Sequence, residues 1–80
     1  MGEVIRSKSD AATLWVTYDT SDGEYHPTLD GFRVEAHAPV IVRVLLDDEP
    51  WAKQYLEAGE EWSRGATGIE VDRFRFEIGG

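Results

Sequence analysis

The sequence predicts an all-β fold, a small antiparallel β-sandwich or barrel of about six strands. Apolar and polar residues alternate with a period of two along most of the chain, the pattern of strands that bury one face. Turn-forming residues separate the alternating runs at roughly ten-residue spacing. The chain has 80 residues, which implies one domain. No linker, repeat or low-complexity segment interrupts it, so residues 1–80 are expected to form a single β domain with an ordered core of about 3–78.

Val4 and Arg6 suggest a short opening strand. Ala12, Leu14, Val16 and Tyr18 then alternate with Thr13, Trp15, Thr17 and Asp19, and Ser21-Asp22-Gly23 is a turn signal. Asp30-Gly31 repeats that signal directly before Phe32, Val34 and Ala36, which alternate with Arg33, Glu35 and His37. Ala38-Pro39 imposes an extended residue ahead of the next strand. There Val40, Val42, Val44 and Leu46 share one face while Ile41, Arg43 and Leu45 share the other. A strand apolar on both sides is either central and covered twice, or it meets another chain.

Residues 47–59 fit two structures. Acidic Asp48 and Glu49, then Pro50, then Gly59 past the end, are the punctuation of a short helix. A turn from Asp47 to Pro50 followed by a strand places Trp51, Lys53 and Tyr55 on one face and Ala52, Gln54 and Leu56 on the other. Agreement with the β pattern elsewhere favours the strand. Gly65-Ala66-Thr67-Gly68 lacks the lysine and the glycine spacing of a phosphate cradle and is expected to be a connection. In the last run Ile69 and Val71 sit at odd positions but Phe74, Phe76 and Ile78 at even ones. One extra residue, a β-bulge near Asp72-Arg73, would keep all of them on the core side. The expected core is Leu14, Val16, Phe32, Val34, Val42, Val44, Leu46, Val71, Phe74 and Phe76.

Composition bounds the function by exclusion. With 16 Asp and Glu against 8 Lys and Arg, the net charge is −8. Nucleic-acid affinity comes largely from neutralising phosphates, so no nucleic-acid partner is expected. The longest apolar run, Pro39–Leu46, is broken by Arg43 and falls far short of a membrane span, and the first residues lack a signal-peptide core. A virion or cytoplasmic location, with no membrane partner, is the expectation. Without cysteine there is no disulfide framework and no thiolate metal site, so the core or neighbouring copies must supply the stability.

Catalytic chemistry finds little footing. His37 lies on the polar side of its strand, and His26 stands alone before Pro27, where it makes no triad and no metal site without companions. The carboxylates of Asp47-Asp48-Glu49 and Glu60-Glu61 are consecutive, so neighbours point different ways rather than facing one cleft. Asp19 to Glu24 resembles part of a calcium loop, but its spacing does not match the twelve-residue EF-hand loop, and an Asx-type turn accounts for it. No catalytic, cofactor or metal residue is therefore expected, and the protein is read as a non-enzyme.

The aromatic residues are more informative. Trp15 falls opposite Leu14 and Val16, outside the expected core, and Trp51 and Tyr55 would share an outward strand face. Such residues cover the ends of a thin sandwich, stack on sugars, or form a protein interface, where aromatics are enriched. The apolar residues Ile41 and Leu45 on the second face favour protein contact. The interface candidates are Trp15, Ile41, Leu45, Trp51 and Tyr55, and the expected partners are further copies of the chain and a larger protein assembly. The alternative is a carbohydrate-binding module that uses Trp15, Trp51 or Trp62 as stacking platforms.

The run Leu56-Glu57-Ala58-Gly59-Glu60-Glu61-Trp62, followed by Gly65, Gly68, Ile69, Val71, Phe74 and Phe76, resembles the closing half of small β-sandwich structural proteins of tailed-phage virions. Those are capsid-decorating, head-fibre and tail-attached units. The resemblance spans about the last 25 residues and implies a non-enzymatic subunit that assembles as a symmetric oligomer on a larger particle. It transfers no site residues. The closing Gly79-Gly80 is similar to the end of ubiquitin-like modifiers, yet residues 20–38 carry Gly23, Pro27 and Gly31 where those folds place a long helix.

Overall fold

The computed structural model describes residues 3–20, 27–65 and 67–79. These form the strands β1 (Glu3–Lys8), β2 (Ala12–Asp19), β3 (Thr28–Ala36), β4 (Val40–Leu46), β5 (Glu49–Leu56), β6 (Glu61–Arg64), β7 (Ile69–Glu70) and β8 (Phe74–Gly79), with one 3₁₀ turn at Val71–Arg73. Among the described residues no helix is long and apolar enough to cross a membrane. Every pairing is antiparallel. The larger sheet runs β1-β2-β3-β6, with β7 also on β3, and the smaller runs β5-β4-β8.

The inward sides of the alternating runs fill the space between the sheets. Leu14, Val16, Leu29, Phe32 and Val34 come from the larger sheet, and Val40, Val42, Val44, Leu56 and Phe74 from the smaller, all buried. Of the expected core, Leu46 and Phe76 are only half-buried but pack against it. Residues 49–56 are a strand, not a helix: Glu49 and Leu56 close the ends of a hairpin with β4. The count exceeds six because Glu61–Arg64 adds a short strand with one inward tryptophan, and the final apolar run is divided between the two sheets.

That division is how the phase shift is resolved. β7 pairs with β3 in the larger sheet, while β8 pairs with β4 in the smaller. A 3₁₀ turn, rather than the expected bulge in one continuous strand, carries the chain across and keeps Val71 and Phe74 both buried. Asp30-Gly31 is a second departure, being a bulge inside β3 and not a turn before it. The register passes from Thr17↔Gly31 to Tyr18↔Leu29, leaving Asp30 unpaired and turning Leu29 into the core. Glycine is required here by close approach, because a Cβ on Gly31 would lie 2.8 Å from the carbonyl oxygen of Arg64. The expected turn at Ser21-Asp22-Gly23, most of the calcium-like run and His26 fall at positions 21–26, outside the described residues.

The β4–β5 hairpin turns on Asp47 and Asp48, with φ of 53° and 65°. Positive φ at both central residues is the signature of the type I′ turn, whose twist matches that of the flanking strands. Aspartate tolerates this region better than most residues but still carries a steric cost that glycine avoids. Arg73 secures the turn from outside, its Nε donating to Asp47 Oδ1 at 3.0 Å, and Arg75 pairs with Asp48 at 3.1 Å. The hydrogen bond from Arg73 holds the Asp47 carboxyl below its ordinary pKa. Asp48→Gly is expected to raise stability by about 0.5–1 kcal/mol, the relief of steric cost less the added freedom of the unfolded chain. Urea unfolding checks this; a lowered midpoint would mean that the ion pair to Arg75 outweighs the backbone.

Candidate interaction surface

β4 is central in its sheet, flanked by β5 and β8, but only its inward face is covered. On the outward face the strand registers set out three rows. Leu45 lies between Pro50 and Arg75, Arg43 between Lys53 and Glu77, and Ile41 between Tyr55 and Gly79. Ile41 and Leu45 are half-buried by these neighbours, and Tyr55 is 53% exposed. The tyrosine hydroxyl donates to Glu57 Oε1 at 3.0 Å, which raises the phenol's pKa above its ordinary value. A depression of about 410 Å³ opens beside Leu45, Pro50, Trp51 and Lys53. The face thus has apolar groups at its two ends and a charged row across its middle.

Trp51 is not part of it. The register between β4 and β5 passes from Val44↔Ala52 to Leu45↔Pro50, so Trp51 is the bulged residue. The extra residue turns its indole inward, against Phe74 at 5.3 Å and Phe32 at 6.5 Å, with the Arg64 guanidinium 4.9 Å from its ring centroid. A plain alternation would have left it outward beside Tyr55. The bulge separates the two, and Tyr55 alone of that pair is on the outer face.

Trp15 does lie outside the core, but on the opposite side of the molecule, in the outer face of the larger sheet. Its strand neighbours are Ile5 on β1 and Arg33 on β3. The Arg33 guanidinium sits 3.9 Å from the indole centroid and is held there by Glu3 at 3.1 Å and Glu61 at 3.0 Å. Those two hydrogen bonds raise the Arg33 pKa still further above its ordinary value. Ile5 beside it is 56% exposed. The five candidates therefore divide: Ile41, Leu45 and Tyr55 share one face, Trp15 faces away from them, and Trp51 lies between the sheets. Sequence reasoning missed the Glu3–Arg33–Glu61 bridge. Its members come from β1, β3 and β6, and only the register across β1, β2, β3 and β6 brings them together.

His37 is exposed, with Nε2 2.8 Å from the Thr13 hydroxyl and Nδ1 3.8 Å from Glu35. Among the described residues no group of three or more His, Asp or Glu side chains converges as a metal site. At the hairpin end, Asp47 and Asp48 are each engaged by an arginine. Comparison with protein-family models, with curated proteins and with solved structures found no match.

Proposed function

We propose that the protein is a non-enzymatic structural module that self-associates and docks onto a larger protein assembly. The observation that carries this reading is the outer face of the smaller sheet. It places Ile41 and Tyr55 at one end and Leu45 and Pro50 at the other of one hydrogen-bonded platform, with Arg43 between them. Apolar and aromatic groups on a flat, preordered surface are what a protein interface uses, since little ordering cost is added on binding. Tailed-phage virions are the proposed setting, and the support for that is the resemblance of residues 56–76. Sugar binding has less behind it, because each indole is already packed: Trp15 under Arg33, Trp51 against Phe74, and Trp62 against Phe32 at 5.2 Å.

Sedimentation over a range of concentrations tests the reading. The mass of the chain is expected to rise above its monomer value of 9.0 kDa. Leu45→Lys puts a charge into the apolar end of the face and is expected to cap that growth, weakening the contact roughly tenfold as the loss of an interface anchor does. A wild type that stays at the monomer mass removes self-association from the proposal. A variant that grows as the wild type does removes the face.

A further inference from the structure

Sheet edges expose unpaired N–H and C=O groups, and proteins blunt them with bulges, prolines, charge or shortness. Among the described residues, four of the five strands at a sheet edge are blunted in this way. β1 is bulged, its register shifting between Ile5 and Ser7. β5 is bulged at Trp51 and carries Pro50, while β6 has only four residues and β7 only two. β8 is neither bulged nor interrupted by proline, and its charges, Arg75 and Glu77, are of opposite sign. It pairs with β4 in unbroken register from Gly79 to Phe74, and among the described residues nothing pairs with its other side.

The direction of its free groups follows from one bond. Asp47 N–H donates to the Arg73 carbonyl at 2.9 Å, one step beyond the Leu46↔Phe74 pair. Hydrogen-bonded and non-bonded pairs alternate along an antiparallel ladder. Arg75, Glu77 and Gly79 therefore bond to β4, while Phe74, Phe76 and Ile78 point their N–H and C=O outward.

We infer that β8 is a homodimerisation edge, pairing antiparallel with β8 of a second copy about a twofold axis at Phe76. In that register Phe76 meets its own copy and Phe74 meets Ile78, so each outward-pointing backbone group finds a partner. Arg75 falls opposite Glu77 of the second copy, twice by symmetry and at non-bonded positions, where side chains approach most closely. All these charged groups lie on the outer face and all the apolar ones on the inner. Sliding the axis to Arg75 would set arginine against arginine, and sliding it to Glu77 would set glutamate against glutamate. Charge thus selects one register. In the single chain the partners of Arg75 among the described residues are exposed, Asp48 at 3.1 Å and Glu77 at 3.6 Å.

The apolar side of this edge is also incompletely covered. Phe76 and Ile78 are half-buried, and Arg6 of β1 reaches over to within 5.5 Å of the Phe76 ring centroid. Val4 faces inward beside buried Val16, yet it is 44% exposed. A second sandwich joined at β8 covers this open mouth. The dimer also makes the two smaller sheets continuous, so that the faces bearing Ile41, Leu45 and Tyr55 lie side by side. The inference rests on the assembly reading and supplies its first step.

Charge reversal tests it. Sedimentation equilibrium of the wild type should show a dimer. Arg75→Glu alone and Glu77→Arg alone should each weaken it about tenfold, because two facing pairs turn from attraction to repulsion. The double variant R75E/E77R should return to within about twofold of the wild type. Circular dichroism and thermal unfolding identify any variant that has lost its fold; E77R, which leaves the Asp48–Arg75 contact in place, keeps the test sound if R75E proves unstable. Single variants that dimerise like the wild type, or a double variant no better than the singles, overturn the edge and its register. An oligomer that responds to Leu45→Lys but not to these changes overturns the edge and leaves the assembly reading standing. A wild type that is monomeric throughout overturns the edge and removes self-association from the assembly reading.

Discussion

Phe32→Ala is expected to destabilise the domain by about 3–5 kcal/mol, the cost of truncating a fully packed aromatic residue. Phe32 is 4% exposed and its ring meets three others edge-on: Trp62 at 5.2 Å, Phe76 at 5.3 Å and Trp51 at 6.5 Å. These come from β6, β8 and β5, so one side chain on β3 joins its own sheet to two strands of the other. The alanine leaves a cavity that none of these rings can fill, because each is also fixed by its own strand. A domain of this length has about 4–12 kcal/mol to lose, so this one substitution removes a large share of its stability. Denaturant unfolding measures the loss, and the near-ultraviolet dichroism of the tryptophans reports the cluster directly. A midpoint within the error of the wild type would show that the rings close up without Phe32.

Gly31→Ala is the second large effect, and it arises without any lost contact. The added Cβ would meet the Arg64 carbonyl oxygen at 2.8 Å and the Gly65 Cα at 3.6 Å. Both are backbone, so no side chain can rotate away, and β6 must move off β3. Overpacking of this kind costs about 1–3 kcal/mol, or a fall in melting temperature of about 4–8 °C for each kcal/mol in a domain this small. The disturbance should be local, with faster amide exchange in β6 while β1 and β2 keep their protection. A melting temperature equal to that of the wild type would mean that the Arg64–Gly65 backbone yields freely.

Much of this architecture was legible as alternation. Leu14 and Val16, Val34 and Ala36, and Val40 through Val44 take the sides their parity assigns, because each run is uninterrupted and one face of each is buried. The misplacements occur where a strand gains one residue. Asp30 and Trp51 are such insertions, and each reverses the parity of everything on one side of it. Nothing local announces them. The bulge at Asp30 goes with the approach of Arg64 to Gly31, and Trp51 is turned inward to meet Phe32 and Phe74, residues distant in sequence. The extra residue before Phe74 was visible in the pattern, but a bulge and a change of sheet leave the same trace, since both return Val71 and Phe74 to the core. The candidate surface divides along the same line. Ile41, Leu45 and Tyr55 follow from strand parity and stand together; Trp51, beside an insertion, does not join them.

The passage of the chain from β7 to β8 has a consequence for how the protein is made. Before residues 69–79 leave the ribosome, the smaller sheet is a bare hairpin of β4 and β5, and a two-stranded hairpin is marginal in water. The aromatic cluster at that stage lacks Phe74 and Phe76, and the Asp47-Asp48 turn lacks Arg73 and Arg75. Completion of the smaller sheet therefore depends on residues 69–79, whereas β1, β2, β3 and β6 of the larger sheet are all synthesised before them.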